Sequence, residues 1–408
     1  MRLSKSLTLA VTVLGMLANV APLSAQDNFG ANERFDSDFY GDLATRNDER
    51  LYSASATAAT ADGGPRAAST SSGSSTAAKA AKADGAVPAS YTPWSGMWFP
   101  RGRCDLAFGD YGGGLSPFEK YDSIVASLYG QLAGAAAWEA DPIHRHNTAP
   151  FAQQVDWAGH CNGLAAACIL TPEPKKAFTV DLGSRPVKVK LNIASAARAK
   201  EYLYSDGQSD YRTLQNPGKS LPVSVADMKG LLAESYMTCN TQQFYNRTLT
   251  GTRYTNENVN VNDESFKDIY PHYFHWLLQE FVKKNGMAIV AEIDPHFTVN
   301  NHPLYKYETS YVFNKAKRKY SVTTKAYFTN YAPSAQYVGT NTMTRTYTYD
   351  LFQDASGRVN RGDWTGTSVT NHPDFCWIPT SDAKPSGTYE NACLNGDFVR
   401  WIYSKYGM

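Results

Sequence analysis

Cys161 is the residue of this chain whose sequence neighbours most strongly indicate a catalytic role. It lies in the run Trp157-Ala158-Gly159-His160-Cys161-Asn162-Gly163, which an alanine-rich stretch follows. The glycines predict a loop and the alanines a helix, so the thiol is expected at a helix N-terminus. Unpaired N–H groups and the helix dipole at that position favour the thiolate, the nucleophilic form of cysteine. The alternative is a small buried apolar residue, a role that fits Cys168 better.

A cysteine nucleophile needs a base and a group that orients the base. Of the eight histidines, His275 is the strongest candidate, because Asn285-Gly286 separates its apolar segment from a following apolar strand and predicts a hairpin. That hairpin would bring His275 beside Asp294 at the end of the next strand. An amphipathic helix over 272–284 is the alternative structure, and a buried core histidine is the alternative role.

Other residues near these motifs are expected to support the site. His160 adjoins Cys161 and is expected to shape the loop, and His372-Pro373-Asp374 offers a second histidine and carboxylate close together. With Trp157, these residues are the candidates for oxyanion stabilisation or for support of the catalytic groups. No cysteine or histidine spacing fits a zinc site, and no cofactor is predicted to be required. Carboxylates leave room for a divalent cation such as calcium or manganese, although no calcium loop motif is present.

The elements that position these residues are predicted from periodicity. Helices are expected at 117–132, 162–170, 194–204 and 225–234, and strands at 288–293, 305–313, 320–328 and 342–352. The basic run 315–319 is expected to be a solvated hairpin turn. Helices followed by an antiparallel sheet predict an α+β domain. A cysteine at a helix N-terminus packed on such a sheet is also the layout of papain-like and transglutaminase-like enzymes.

The first ninety residues differ in character from the rest. Arg2 and Lys5 precede an uncharged apolar run, and Ser24-Ala25 forms a cleavage site, so residues 1–25 are predicted to be a signal peptide. A single-pass anchor is the alternative, but the run is short for a membrane span. Residues 26–90 end in a low-complexity stretch of Ala, Ser, Thr, Gly and Lys and are predicted to be a disordered or removable leader. Residues 91–408 are the expected folded domain, secreted and monomeric, with no later membrane span.

Charge and cysteine content add two expectations. The formal net charge is +1, and losing the two cations of the signal peptide changes it to −1, so no general attraction to nucleic acid is expected. Six cysteines enter an oxidising compartment. Cys376 and Cys393 flank a turn-rich stretch and are the predicted disulfide.

Five segments resemble the transglutaminase elicitor family, and they occur along this chain in the same order as in the family. Plant-pathogenic oomycetes secrete proteins of this family, and some bacteria also carry them. They are the cysteine motif 157–163 with Ala165-Ala166-Ala167 and Pro172-Glu173-Pro174, Leu115 to Asp122, Ala136-Ala137-Trp138-Glu139, the Phe274-His275 segment leading to Asp294, and Gly362 to Gly366 with Asn371 to Phe375. The resemblance spans roughly 91–380.

The resemblance implies a protein-glutamine γ-glutamyltransferase. Cys161 would form a thioester with a glutamine side chain, His275 would act as acid and base, and Asp294 would orient His275, while the acyl group passes to a lysine or other amine. In the oomycete proteins an elicitor peptide is built around Val-Trp-Asn-Gln-Pro, where this chain has Val299-Asn300-Asn301-His302-Pro303. The retained Asn301 and Pro303 are the expected substrate contacts. A cysteine peptidase or amidase that uses the same three groups is the alternative function.

Overall fold

The computed structural model describes residues 80–101, 104–112, 114–129, 133–140, 159–183, 220–237, 249–251, 268–294, 299–379 and 391–407. The predicted signal peptide, most of the predicted leader, Trp157 and the helix predicted at 194–204 lie outside these ranges. In the described part, no helix is long and apolar enough to span a membrane.

An antiparallel sheet dominates the second half of the chain. Its strands are β1 Ala81–Lys82, β2 Gly85–Ala86, β5 Leu249–Gly251, β6 Ile289–Glu292, β7 Asn301–Asn314, β8 Lys319–Thr329, β9 Thr342–Gln353, β10 Val359–Trp364 and β11 Phe375–Trp377, and a separate pair joins β3 Phe178–Asp181 to β4 Ser220–Val223. Within the described ranges the large sheet has nine strands in the order β10-β9-β8-β7-β6-β11-β5, with β1 and β2 both paired to β7. The four strands predicted from alternation correspond to β6, β7, β8 and β9, and the basic run forms the turn between β7 and β8.

The helices lie mainly before the sheet in sequence. They are α1 Asp105–Phe108, α2 Pro117–Tyr129, α3 Ala135–Ala140, α4 Cys161–Leu170, α5 Val225–Ser235, α6 Pro271–Leu277 and α7 Gly396–Ile402. Helix α5 begins at a capping box, in which the Ser224 hydroxyl accepts from the N–H of Asp227 and the Asp227 carboxylate accepts from the N–H of Ser224. The predicted α+β class is confirmed.

The hairpin predicted around His275 is wrong. Residues Pro271–Leu277 are helical, and π-helical turns continue over Leu278–Lys284 before the chain turns at Asn285 into β6. Pro271 occupies the first turn of α6, where its missing N–H costs nothing. The helical alternative over 272–284 is therefore the observed structure, because leucines and aromatics at helical spacing bury one face of it on the sheet.

The sheet separates two hydrophobic cores. Ala291 and Cys376 are partners in the register and belong to the core that includes Phe274 of α6. Val290 and Trp377, one residue away on the same two strands, belong to the core formed with helices α1 to α5 and α7. Successive strand residues point to opposite faces. Glu292, two residues after Val290, therefore faces the side of the sheet on which α4 lies.

The last residues of the predicted leader belong to the fold. Strands β1 and β2 pair with β7, Val87 donates its N–H to the carbonyl of Tyr305 at 2.9 Å, and the Val87 side chain is buried. Gly85 lies against the Tyr307 ring, so closely that a side chain there would collide with it. The folded domain therefore includes residues from about position 81 onward and does not begin at Tyr91.

Removing this segment is expected to destabilise the protein. A chain that begins at residue 91 loses the burial of Val87 and the pairing with β7, so its free energy of unfolding should fall by about 2 kcal/mol or more relative to a chain that begins at residue 80. Urea denaturation followed by tryptophan fluorescence measures the difference. Equal midpoints for the two chains would show that 80–90 adds nothing to the fold.

The predicted Cys376–Cys393 disulfide is wrong. The five cysteines in the described ranges are thiols rather than half-cystines. Cys376 is buried in β11 on the α6 side of the sheet, whereas Cys393 packs against the opposite core, where its sulfur lies near Gly134. Because the two residues face different cores, closeness in sequence does not bring their sulfurs together.

Candidate functional site

Helix α4 places Cys161 at its first residue, directly after His160. The loop before it is fixed by His160, whose N–H donates to the carbonyl of Trp98 at 2.8 Å and whose ring Nδ1 lies 2.7 Å from the carbonyl of Phe99. Ring Nε2 lies 3.0 Å from the carboxylate of Glu234 on α5. The His160 ring thus lies between the Phe99 carbonyl and the Glu234 carboxylate, in the loop that presents Cys161.

Close packing between two helices explains why a glycine, Gly163, stands two residues after Cys161. A side chain at Gly163 would collide with the carbonyl of Ala233 and the sulfur of Met237, so only glycine lets α4 approach the C-terminal end of α5 this closely. This contact fixes the position of α4, and with it the position of the thiol at its N-terminus.

The Cys161 sulfur lies against the start of β7. Its thiol donates to the carbonyl of Val299 at 3.6 Å, and the side-chain amide of Asn301 donates to the sulfur at 3.8 Å. The amide is itself oriented, since its Oδ1 accepts from the indole N–H of Trp377 at 2.9 Å. Helix α4 and strands β7 and β11 therefore meet at the thiol, which is 7% exposed.

The expectation of an acidified thiol is wrong for this arrangement. Burial raises the pKa of Cys161, and the hydrogen bonds from Asn301 and from the N–H of Asn162 only partly oppose that effect. The charge of Glu292 raises the pKa further. The helix N-terminus does favour the thiolate, but removing the sulfur from water is the larger effect. The resting protein keeps this thiol protonated at neutral pH.

Carboxyl groups surround the connection between β6 and β7. The Oε1 atom of Glu292 accepts from the N–H of Asp294 at 2.8 Å and from the N–H of Asn300 at 2.9 Å. Across the same connection, the Asn300 side-chain amide donates to Asp294 Oδ2 at 2.9 Å. Asp374, on the segment that enters β11, is buried, and the charge of Glu292 helps to raise its pKa. Asp294 and Asp374 thus lie close to the residues that contact Cys161.

The structure does not bring His275 to the thiol. His275 Nδ1 lies 2.8 Å from the hydroxyl of Tyr349, and Tyr349 belongs to the core on the α6 side of the sheet. Cys161 lies on the other side, so the sheet stands between the two residues. Burial, with a smaller contribution from the charge of Lys283, lowers the pKa of His275 to about 4. The predicted alignment of His275 with Asp294 depended on a hairpin that does not form.

The remaining predicted residues have other contacts. His372 lies 3.1 Å from the carboxylate of Asp268 and stacks on Trp364 at 4.8 Å, so its acidic partner is Asp268 rather than Asp374. Pro303 is buried in β7 opposite Val290, and only Asn301 of the two expected substrate contacts touches the sulfur. Trp157 lies outside the described residues, as do His144, His146 and His296.

Two contributors were missed from the sequence. The Trp377 indole and the Glu292 carboxylate carry no motif of their own, whereas Val299 belongs to the segment that resembles the elicitor peptide. Glu292 does leave one signal, because a carboxylate inside an apolar strand needs a specific reason to be there. His302, next to Asn301, lies 2.9 Å through Nδ1 from the carbonyl of Thr329, which leaves Nε2 as an acceptor. In the described part of the chain, no cluster of three or more potential ligands is arranged to hold a metal ion.

Comparison with known proteins agrees with the resemblance noted from the sequence. The family model "Transglutaminase elicitor" matches residues 310–394, a region that includes β8 to β11 and lies after Cys161. The chain is similar to the crystal structure of the GP42 transglutaminase from Phytophthora sojae, with a TM-score of 0.50 and 18% identity over 79% of this chain and 90% of that chain. No curated protein sequence matches. The resemblance to the transglutaminase elicitor family is therefore confirmed, and at this identity the structural likeness shows the fold.

Proposed function

We propose that this protein, similar to the transglutaminase elicitor family, is a secreted protein-glutamine γ-glutamyltransferase with Cys161 as its nucleophile. The observation that carries the proposal is the sulfur itself, which lies at the first residue of α4 against an oriented amide donor, Asn301. The expected partners are an extracellular protein that supplies glutamine and a protein or small amine that supplies a primary amino group.

The proposed reaction has two halves. The Cys161 thiolate attacks the carbonyl carbon of a glutamine side chain, and the amide nitrogen of the tetrahedral intermediate takes up a proton and leaves as ammonia. A thioester remains on Cys161. A lysine amine, having lost a proton to a base, attacks the thioester and forms an isopeptide bond, and the thiolate is released. Each half passes through an oxyanion that needs hydrogen-bond donors.

Asn301 is suited to supply one of these donors. Trp377 fixes the amide by holding its Oδ1, so its N–H group points at the sulfur before substrate arrives. A donor that is already oriented stabilises the thiolate and the negative charge that forms next to it without reorganisation during the reaction. The backbone N–H of Cys161 at the helix N-terminus is the expected second donor.

The base is identified by a panel of histidine variants. Because His275 lies behind the sheet, His275→Gln is expected to lower stability while retaining amine incorporation per folded molecule. Loss of a general base instead costs roughly 10²–10⁴-fold. The same measurement on His302→Gln, His144→Gln, His146→Gln and His296→Gln identifies the residue whose loss has that size. A loss of that size in His275→Gln, with an intact fold, would restore His275 as the base.

The activity itself is tested with a glutamine-donor protein and a fluorescent primary amine. Covalent incorporation of the amine, with release of ammonia, is the expected result. Ammonia release without incorporation would favour the amidase alternative, in which water replaces the amine. Absence of both from a folded preparation, tested with several donor proteins and with and without calcium or manganese, would contradict an acyl-transfer function.

A further inference from the structure

Two half-buried aromatic side chains, Trp98 and Tyr331, adjoin the residues that surround the buried sulfur of Cys161. The centres of their rings are 6.5 Å apart, and the ring planes meet at 38°. The rings therefore lie side by side without a face-to-face stack, and each side chain keeps part of its surface exposed. An aromatic pair that stays partly exposed next to a nucleophile is placed to contact a substrate.

Trp98 is fixed against the loop that precedes the nucleophile. Its carbonyl accepts from the N–H of His160 at 2.8 Å. Its ring packs so closely on Gly159 that a side chain at that position would collide with the indole. Because Gly159 and His160 directly precede Cys161, the indole is held on the N-terminal side of the thiol.

Tyr331 is fixed against the connection between β6 and β7. Its hydroxyl donates to Oδ1 of Asn300 at 3.3 Å. Asn300 stands directly between the two residues whose polar groups contact the sulfur. The N–H of Ala332 donates to the carbonyl of Gly96 at 2.8 Å, so the segment that carries Tyr331 is also tied to the segment that carries Trp98.

The acidic groups near Tyr331 cannot carry a positive charge. Cys161 and Glu292 are the described groups whose charges act on the Tyr331 hydroxyl, and burial together with these charges raises the pKa of that hydroxyl, so the phenol is neutral. Asp294 lies one hydrogen bond further, on the side-chain amide of Asn300. An anionic ligand would find no counter-charge among these groups, whereas a cation would not be repelled.

The histidine beside Tyr331 is also uncharged. The ring centres of His302 and Tyr331 are 4.8 Å apart, and burial lowers the pKa of His302 to about 4. The charge of Arg345 contributes to that effect, but its guanidinium donates to the side chain of Asn371 at 3.0 Å and is not among the described charges that act on the Tyr331 hydroxyl. The surroundings of the aromatic pair therefore suit a cation.

We propose that Trp98 and Tyr331 form the binding site for the amine substrate, which arrives as an ammonium ion with its carbon chain against the two rings. Primary amines such as the lysine side chain are positively charged at neutral pH. The face of an aromatic ring attracts such a cation, most strongly when the ring is Trp. The glutamine amide is uncharged and gains less from this attraction. This inference rests on the proposed transglutaminase reaction and assigns the side from which its amine approaches the thioester.

Two probes that differ only in charge test the proposal. Choline is a quaternary ammonium ion, and its carbon analogue, in which a tert-butyl group replaces the trimethylammonium group, has nearly the same shape and no charge. The measurement is the rate at which iodoacetamide alkylates Cys161 at fixed alkaline pH and ionic strength, without any glutamine donor, read by mass spectrometry of the peptide that contains it. Choline should slow alkylation in a saturable way. Half-protection by the uncharged analogue should need a concentration higher by roughly threefold or more.

Variants of the two rings locate the site. Trp98→Leu and Tyr331→Leu each remove one ring, so the choline concentration for half-protection should rise by roughly three- to tenfold. In the incorporation assay, kcat/KM for the amine should fall by the same factor relative to kcat/KM for the glutamine donor. Tyr331→Phe keeps the ring and should be protected like the wild-type chain. Trp401→Leu is the matched control, because Trp401 is 40% exposed and stacks on Phe398 of α7.

Equal protection by the two probes, or protection by neither, would overturn the inference in the wild-type chain, without reliance on any variant. Unchanged half-protection in either leucine variant would remove that residue from the site, and an equal change in Trp401→Leu would show that the effect is not local. Alkylation requires no acyl donor. Failure of the amine-site inference is therefore distinguishable from failure of the transglutaminase proposal, which the amine-incorporation assay decides separately.

Discussion

Replacing Cys161 by Ala is expected to abolish amine incorporation, with a loss of about a thousandfold or more, while the fold is retained. The thiol forms the thioester, and no other group in the site can replace it, so removal of the nucleophile should leave only background reaction. The side chain is small and lies at the edge of α4, and Ala favours a helix, so little stability should be lost. Amine incorporation and thermal unfolding are measured on the same preparation.

Cys168→Ala is the matched control for this prediction. Cys168 lies on the same helix and is buried in the core, and burial keeps its pKa well above the ordinary value. This variant should lose some stability and keep its activity per folded molecule. If Cys161→Ala retained incorporation, or if the two variants lost equal activity, Cys161 would not be the nucleophile.

Replacing Asn301 by Ala is expected to lower the rate of incorporation by about 10²-fold, the usual cost of removing one oriented oxyanion donor. The amide N–H that points at the sulfur is lost, and the Trp377 N–H loses its acceptor. Asn301→Asp should be worse than Asn301→Ala, because a carboxylate beside the sulfur raises the pKa of the thiol and disfavours the thiolate. The rate at saturating donor, measured against pH, separates the two effects.

Trp377→Phe is the control that separates orientation from donation. It leaves the Asn301 amide in place but removes the N–H that fixes it, so its activity should lie between wild type and Asn301→Ala. An Asn301→Ala protein that keeps full activity and an unchanged pH profile would show that the amide only packs against the sulfur.

The elements were predictable where one physical signal dominated. Strands β7, β8 and β9 alternate apolar and polar residues, and α5 carries both a capping box and helical spacing of its leucines. These signals are local, so they survive in the tertiary structure. The segment around His275 was ambiguous because aromatic and β-branched residues suit a strand, while leucines at helical spacing suit a helix. Packing against the sheet favours the helix over the strand for this segment.

The site was only partly predictable. Cys161, Asp294, Asp374 and Asn301 were all singled out from the sequence and lie in one region, but their expected relations were not those observed. Asp294 bonds Asn300 rather than accompanying His275, and His372 meets Asp268 rather than Asp374. Which side chains meet depends on strand register, which no single motif contains.

The sequence by itself determined the mixed helix and sheet architecture, the place of Cys161 at the start of a helix and the resemblance to the transglutaminase elicitor family, because periodicity and motif spacing are properties of neighbouring residues. The tertiary structure alone decided how far the thiol is buried, on which side of the sheet His275 lies and which side chains contact the sulfur. Those properties depend on residues far apart in the chain. They follow from the pairing of Glu292 with Asn301 across β6 and β7 and from the packing of α4 against that edge.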